Sequence, residues 1–216
     1  KAYAGSFVDD LEVHSDAWYQ HLEHLKKFLG SIKEHGITLG LKKCYFGVPE
    51  VKFCGYLVGS GTRRIDPSRV EAVQKLKRPE TKTQLRQALG LFGWFREYIP
   101  GFAEYAKPLT DLTSKRISNQ LPWEEKHSQA FESLKTQLCK AAEKPLQIID
   151  WSKPFNLFVD ASDFAISAVL SQTDDQGNER PVAFSSRKLT STQRNWSTIE
   201  KEAFAALDGQ IGRAHV

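Results

Sequence analysis

The sequence predicts an α+β protein, and three observations carry that prediction. Two short alternating apolar runs, from Tyr3 to Phe7 and from Leu11 to Val13, flank a pair of acids. Helical periodicity then dominates from residue 66 to about residue 140. From Phe155 the pattern reverts to strands, three in a row, before a last helix. The 216 residues, 40% of them hydrophobic and 26% charged, suffice for one large or two small packed domains.

Residues 1–16 read as strand, tight turn, strand, with Asp9 and Asp10 at the tip and a polar break at His14-Ser15-Asp16. Residues 17–35 read as an amphipathic helix with Trp18, Leu22, Leu25, Phe28, Leu29 and Ile32 near helical spacing, closed by Gly36. Its His21 and His24 suggest a zinc pair, but nothing nearby completes a site, so a solvated helix flank is the expectation. Strand-like runs follow at 37–39, 45–48 and 51–58, the last alternating through Val51, Phe53, Gly55 and Leu57 before Gly59-Ser60-Gly61 turns the chain. Arg63 and Arg64 come next, placed either to meet phosphates or as exposed loop arginines.

Asp66-Pro67 opens a helix, Asp as N-cap and Pro in the first turn, with Val70, Val73 and Leu76 on one side. Arg78-Pro79 stops it, and Thr81 opens the next with Gln84 in a capping-box position. Leu85, Leu89, Phe92 and Phe95 form its apolar stripe. Gly90 and Gly93 lie three apart, and a glycine inside a helix costs about 1 kcal/mol relative to alanine, so another helix or a nucleic-acid backbone is expected to come close there. Residues 113–125, polar and broken by Pro122, read as a linker and the domain boundary. A helix at 125–140 buries Phe131, Leu134 and Leu138. Strands at 155–159, 164–170 and 181–184, separated by Ala161-Ser162-Asp163 and by 174–178, make a three-stranded antiparallel meander. The last helix is expected over 197–207 with Ile199, Ala203 and Leu207 inward, and Asp208 to Gly212 should break it. Residues 208–216 read as a tail foreign to what precedes them.

Charge is uneven along the chain. Residues 1–25 hold one lysine against five acids, residues 26–107 sixteen Lys/Arg against seven acids, and residues 108–216 thirteen against fourteen. The basic block directly follows the acid pair, the order expected if a polyanion is held beside metal-binding carboxylates; a solvated basic surface is the plainer alternative. Cys44, Cys54 and Cys139 are odd in number and lack metal-ligand spacing, as reduced thiols of an intracellular protein do. No apolar run reaches the 18 or so residues of a membrane span, so no membrane partner is expected. A chain that opens on Lys1 and contains no methionine reads as a piece of something longer.

Neighbouring carboxylates repel, so an Asp-Asp tip is either an ordinary hydrophilic turn or a cation site. Oxygen donors of this kind suit Mg2+, which takes one or two carboxylates and fills its other positions with water and phosphate oxygens.

The wider sequence favours the cation. Phe7-Val8-Asp9-Asp10-Leu11-Glu12-Val13-His14-Ser15, His21 to Leu25 and Leu41 to Phe46 resemble the reverse transcriptase palm of gypsy-type LTR retrotransposons. The likeness continues through Val51 to Val58, Phe95 to Pro100, Ala106 to Thr110 and Asp160-Ala161-Ser162-Asp163, ending near Leu207. It implies an internal fragment of a Pol polyprotein: the C-terminal part of a palm (1–65) with a primer-grip-like second hairpin, a helical thumb (66–112), a connecting segment (113–153) and the first half of an RNase H-like domain (154–207). The implied activities are RNA-directed DNA polymerase and ribonuclease H, with two Mg2+ ions at each centre and only part of each ligand set in this chain. Asp9 and Asp10 match the palm ligands, while Asp160 and Glu202 match the RNase H ligands. Arg63, Arg64, Lys82 and Arg86 are the candidate nucleic-acid contacts. The implied partners are an RNA/DNA template-primer, dNTPs and the rest of the Pol polyprotein, in a cytoplasmic particle or the nucleus. The alternative is a decayed or domesticated derivative that only binds nucleic acid.

Overall fold

The computed structural model describes residues 3–212, which divide into two compact units between Ser60 and Gly61.

In the first unit, β1 (Ala4–Phe7) pairs antiparallel with β2 (Asp10–Val13), Phe7 opposite Asp10, as the alternation predicts. Helix α1 (Trp18–Glu34) follows, ending at Gly36 with φ +67. Its histidines are more than a solvated flank: Ser15 Oγ lies 2.7 Å from His24 Nδ1 and 3.3 Å from His21 Nδ1, and the His24 ring stacks on Tyr3 at 4.3 Å. These contacts brace α1 against the acid-bearing hairpin. The runs at 37–39 and 45–48 are not strands; a single 3-10 turn at Leu41–Lys43 lies among irregular chain there. Both runs are short, the first bordered by Gly36 and Gly40 and the second interrupted by Gly47, and neither finds a partner strand among the described residues. The run 51–58 is two strands, β3 (Glu50–Phe53) and β4 (Tyr56–Gly59), turned at Cys54-Gly55 with φ of +51 and +86. A two-residue turn of that hand needs positive φ at both positions, and Cys54 hid half of the signal. None of the described residues of this unit is buried; Trp18 is 64% exposed.

The second unit runs β5 (Thr62–Ile65), α2 (Pro67–Gln74), α3 (Lys82–Trp94), α4 (Phe102–Asp111), α5 (Glu125–Ala142), β6 (Leu146–Gln147), β7 (Asn156–Ala161), β8 (Ala165–Thr173), β9 (Glu179–Lys188), α6 (Ser191–Arg194) and α7 (Thr198–Gly212). Asp66 accepts a hydrogen bond from Ser68 N at 3.0 Å, and Thr81 and Gln84 cap α3 reciprocally. Phe92, Phe95, Leu109, Leu134 and Leu138 form the helical core, with Phe131 edge-on to Phe92 at 5.8 Å. The pairing of β5 with β6 joins segments far apart in sequence, which local patterning could not reveal. Strands β7, β8 and β9 form the expected antiparallel meander.

Residues 113–125 are not an open linker. Lys82 N donates to Asn119 O (3.1 Å) and Leu121 N to Glu80 O (3.3 Å), fixing the segment to the start of α3 inside the second unit.

Helix α7 corrects two further expectations. It continues through Asp208, which pairs with Arg187 at 2.6 Å, to Gly212; residues 213–216 lie outside the described residues. Ile199, Ala203 and Leu207 face solvent, Ile199 82% and Leu207 53% exposed, and the buried face is Lys201, Ala205 and Gly209. Close approach chose this face over hydrophobicity. A Cβ on Gly209 would stand 3.2 Å from Leu157 and 3.3 Å from Ala168, so only a small residue lets the helix seat on β7 and β8.

Candidate functional site

The first acidic pair occupies the tip of the β1–β2 hairpin. A two-residue loop, Val8-Asp9, closes it, so Asp9 sits in the turn and Asp10 begins β2; both are exposed. Val8 holds φ +54 and is 87% exposed. A β-branched residue in the left-handed region is strained, and such strain concentrates where a turn must hold one shape. The Cys54 thiol in the β3–β4 turn is pushed above its ordinary pKa, by burial first and then by the Asp10 and Glu12 carboxylates, which puts that turn within electrostatic reach of β2. Two adjacent carboxylates clear of any core fit a Mg2+ ion that keeps several water ligands. Among the described residues no group of three acidic, histidine or cysteine side chains gathers to hold a metal.

The second acidic pair spans β7 and α7. Asp160 lies opposite Ser167 near the end of β7 and shares an exposed strand face with Phe158, while Val159 and Ala161 pack toward Ala205 on the other face. Lys201 Nζ meets Asp163 at 3.0 Å, which fastens the first turn of α7 to the β7–β8 turn. The two segments meet, yet among the described residues neither carboxylate makes a hydrogen bond or ion pair. Glu200 is committed elsewhere: it accepts from Ser197 N at 2.8 Å and caps α7, which holds its carboxyl below the ordinary range.

Four cations were candidates for phosphate contacts. Arg63 is no loop arginine; it lies in β5, donating to Glu97 Oε2 and to the Val182 carbonyl, each at 3.1 Å, with its guanidinium over the Tyr98 ring. That guanidinium is occupied in holding the unit together. Arg64 is also part of β5, half-buried. Lys82 and Arg86, one turn apart on α3, donate to the carbonyls of Ser114 (2.8 Å) and Thr113 (3.2 Å), just past the end of α4. Next to them Gly90 and Gly93 present bare helix: apart from the helix's own backbone and the neighbouring residues, no atom of the described residues lies within 4 Å of where either would carry a Cβ. Among the described residues no helix reaches either Cβ position, so helix packing, the simpler of the two explanations, does not account for these glycines.

Residues 123–209 match the family described as an RNase H-like domain found in reverse transcriptase. The chain is 36% identical over 210 residues to the retrovirus-related Pol polyprotein from transposon opus of Drosophila melanogaster, covering 93% of this chain and 21% of that protein. It is 32% identical over 201 residues to the transposon Tf2-3 polyprotein of Schizosaccharomyces pombe, covering 93% of this chain and 15% of that one. The chain therefore spans about a fifth or less of the length of these relatives. Among solved structures it is similar to the foamy viral protease-reverse transcriptase dRH in complex with ds DNA (TM-score 0.86, 25% identity, 98% of this chain and 37% of that chain). It is also similar to the foamy viral protease-reverse transcriptase in complex with RNA/DNA hybrid (TM-score 0.84, 26% identity, 97% of this chain and 28% of that chain). Both likenesses extend over nearly the whole chain. No helix of the described residues is long and apolar enough to cross a membrane.

Proposed function

The chain is related to gypsy-type transposon Pol polyproteins over most of its length and carries the RNase H-like domain found in reverse transcriptase; from that premise we propose that it serves an RNA-directed DNA polymerase, contributing palm, thumb and the opening of the RNase H domain. The observation that carries the reading is the hairpin tip, where Asp9 and Asp10 stand on a strained two-residue turn. In this reading residues 1–65 are palm, 66–112 thumb, 113–153 a connecting segment and 154–207 the start of the RNase H domain.

Asp9 and Asp10 would hold Mg2+. Bound there, the ion would supply the positive charge that favours attack of a primer 3′-hydroxyl on the α-phosphate of a dNTP. The chain's own part is to keep both carboxylates in one place, through the closed turn and the brace of Ser15 and Tyr3 onto α1. The bare strip of α3, flanked by Arg86, suits a duplex backbone, because glycine lets it approach and the cation offsets its charge. Asp160 and Glu202 belong to the second centre. The template-primer, the dNTPs and the remainder of the Pol polyprotein are the partners this reading requires, and the two foamy viral complexes, with ds DNA and with RNA/DNA hybrid, support the first of these.

Iron-mediated cleavage tests the hairpin directly. With Fe2+, ascorbate and peroxide, the polyprotein containing this chain should be cut beside Asp9 and Asp10, and excess Mg2+ should suppress the cut. Cleavage that persists in Asp9→Asn/Asp10→Asn, or that falls only elsewhere, would remove the metal from this turn.

A further inference from the structure

Cations gather where α4, the β7–β8 turn, the end of β9 and α6 meet, and most of them are neutralised. Arg187 pairs with Asp208 at 2.6 Å, Lys201 with Asp163 at 3.0 Å, and Lys188 with Asp111. Lys107 and Arg194 differ. Among the described residues neither has a carboxylate within ion-pair distance; instead both lie over the ring of Phe164, Lys107 Nζ 3.5 Å and Arg194 Cζ 4.9 Å from its centroid.

The ring that gathers them is held in place and presented to solvent. Phe164 N and Ala165 N donate to Ser162 Oγ at 3.3 and 3.0 Å, and Leu189 N donates to Phe164 O at 2.9 Å. Phe164 is nevertheless 42% exposed, although it is large and apolar. A cation–π contact uses a side chain's charge and not its N–H donors, so the ammonium and the guanidinium keep donors for an incoming oxyanion. Two like charges fixed on one ring without a carboxylate between them repel each other, and an anion relieves that repulsion.

We propose that Lys107, Phe164 and Arg194 form a seat for the phosphodiester backbone of a nucleic-acid strand. Position selects this anion. Phe164 follows Asp160 by four residues in the same β7–β8 turn region, and Lys107 is carried by α4, which packs on α3 with its bare glycine strip. A strand held at the seat would lie beside the end of β7 that carries Asp160. The seat rests on the nucleic-acid reading above and adds its contact point on the RNase H-like part.

The test is binding of a fluorescently labelled RNA–DNA hybrid to the chain across a sodium chloride series. Joint Lys107→Gln/Arg194→Gln should lower the slope of log affinity against log salt by about two, one unit per lost phosphate contact. The charge-retaining pair Lys107→Arg/Arg194→Lys should keep the slope, and it guards against a variant that simply fails to fold. Phe164→Leu should weaken binding at an unchanged melting temperature, because the cations lose the ring that holds them together. An unchanged slope in the double glutamine variant overturns the seat while leaving nucleic-acid binding intact. Millimolar inorganic phosphate at matched ionic strength that displaces the hybrid from the unaltered chain, but not from the double variant, would reassign the seat to free phosphate. Absence of hybrid binding by the unaltered chain at every salt concentration overturns both the seat and the reading beneath it.

Discussion

At the scale of single residues, His127 shows how one side chain can couple a fold to pH. It is buried at the start of α5, and its Nδ1 accepts the Glu124 N–H at 2.9 Å, which requires that nitrogen to be unprotonated. Burial first, then the Lys126 charge, hold its pKa below the ordinary imidazole value. The neutral form is therefore the folded form. Below the ordinary value of about 6.5 the unfolded chain takes up the proton first, so stability should fall as pH drops through that point and level off below the depressed folded value. His127→Gln, which keeps the back-bond of a capping box, should remove this pH dependence in thermal melts between pH 7 and 5; a dependence that survives it would assign the effect to other groups. Residue-level signals were legible when they were local. Asp66 and the Thr81/Gln84 pair announced their helices because a cap is written within four residues. Arg63 misled because its partners, Glu97 and the Val182 carbonyl, lie 34 and 119 residues further along.

At the scale of elements, the meander and most helices were legible as patterns of alternation and helical spacing. The faces of the elements were less so. Apolar spacing pointed to Ile199, Ala203 and Leu207 on α7, whereas the buried face is Lys201, Ala205 and Gly209, with Gly209 close against the strands. Where a helix sits close to a sheet, side-chain size outweighs hydrophobicity. Gly209→Leu should therefore destabilise the second unit by about 1–3 kcal/mol in denaturant unfolding, as overpacking does, despite the better helix propensity of leucine. A stabilised Gly209→Leu would mean that α7 can lift off the strands at no cost. Thr81→Ala should cost about 1 kcal/mol through loss of the α3 cap; an unaltered melting temperature would show that the bonds from residues 119–121 hold that end alone.

At the scale of the whole molecule, two acid-bearing segments lie at either end of a chain whose middle is strongly basic. The likeness to Pol polyproteins was legible from motifs spread in order along the sequence, and the relatives extend over 93% of the chain. The geometry around Asp160 and Glu202 was not legible, because it depends on which strand face Asp160 takes and on how α7 packs. Among the described residues no group of three or more histidine, cysteine, aspartate or glutamate side chains could hold a metal. If Asp160 and Glu202 are this chain's whole share of an RNase H centre, the purified chain should leave the RNA of an RNA–DNA hybrid intact in Mg2+, since two-metal cleavage needs further carboxylates. Cleavage that disappears in Asp160→Asn would contradict this. The assignment of the hairpin tip to catalysis is tested by primer extension with a Pol polyprotein that carries this chain's sequence. On that assignment Asp9→Asn should abolish incorporation of dNTPs while template-primer affinity stays unchanged, because the substitution would remove a metal ligand and no phosphate contact. Extension that continues in Asp9→Asn would contradict the assignment of the acid pair to catalysis.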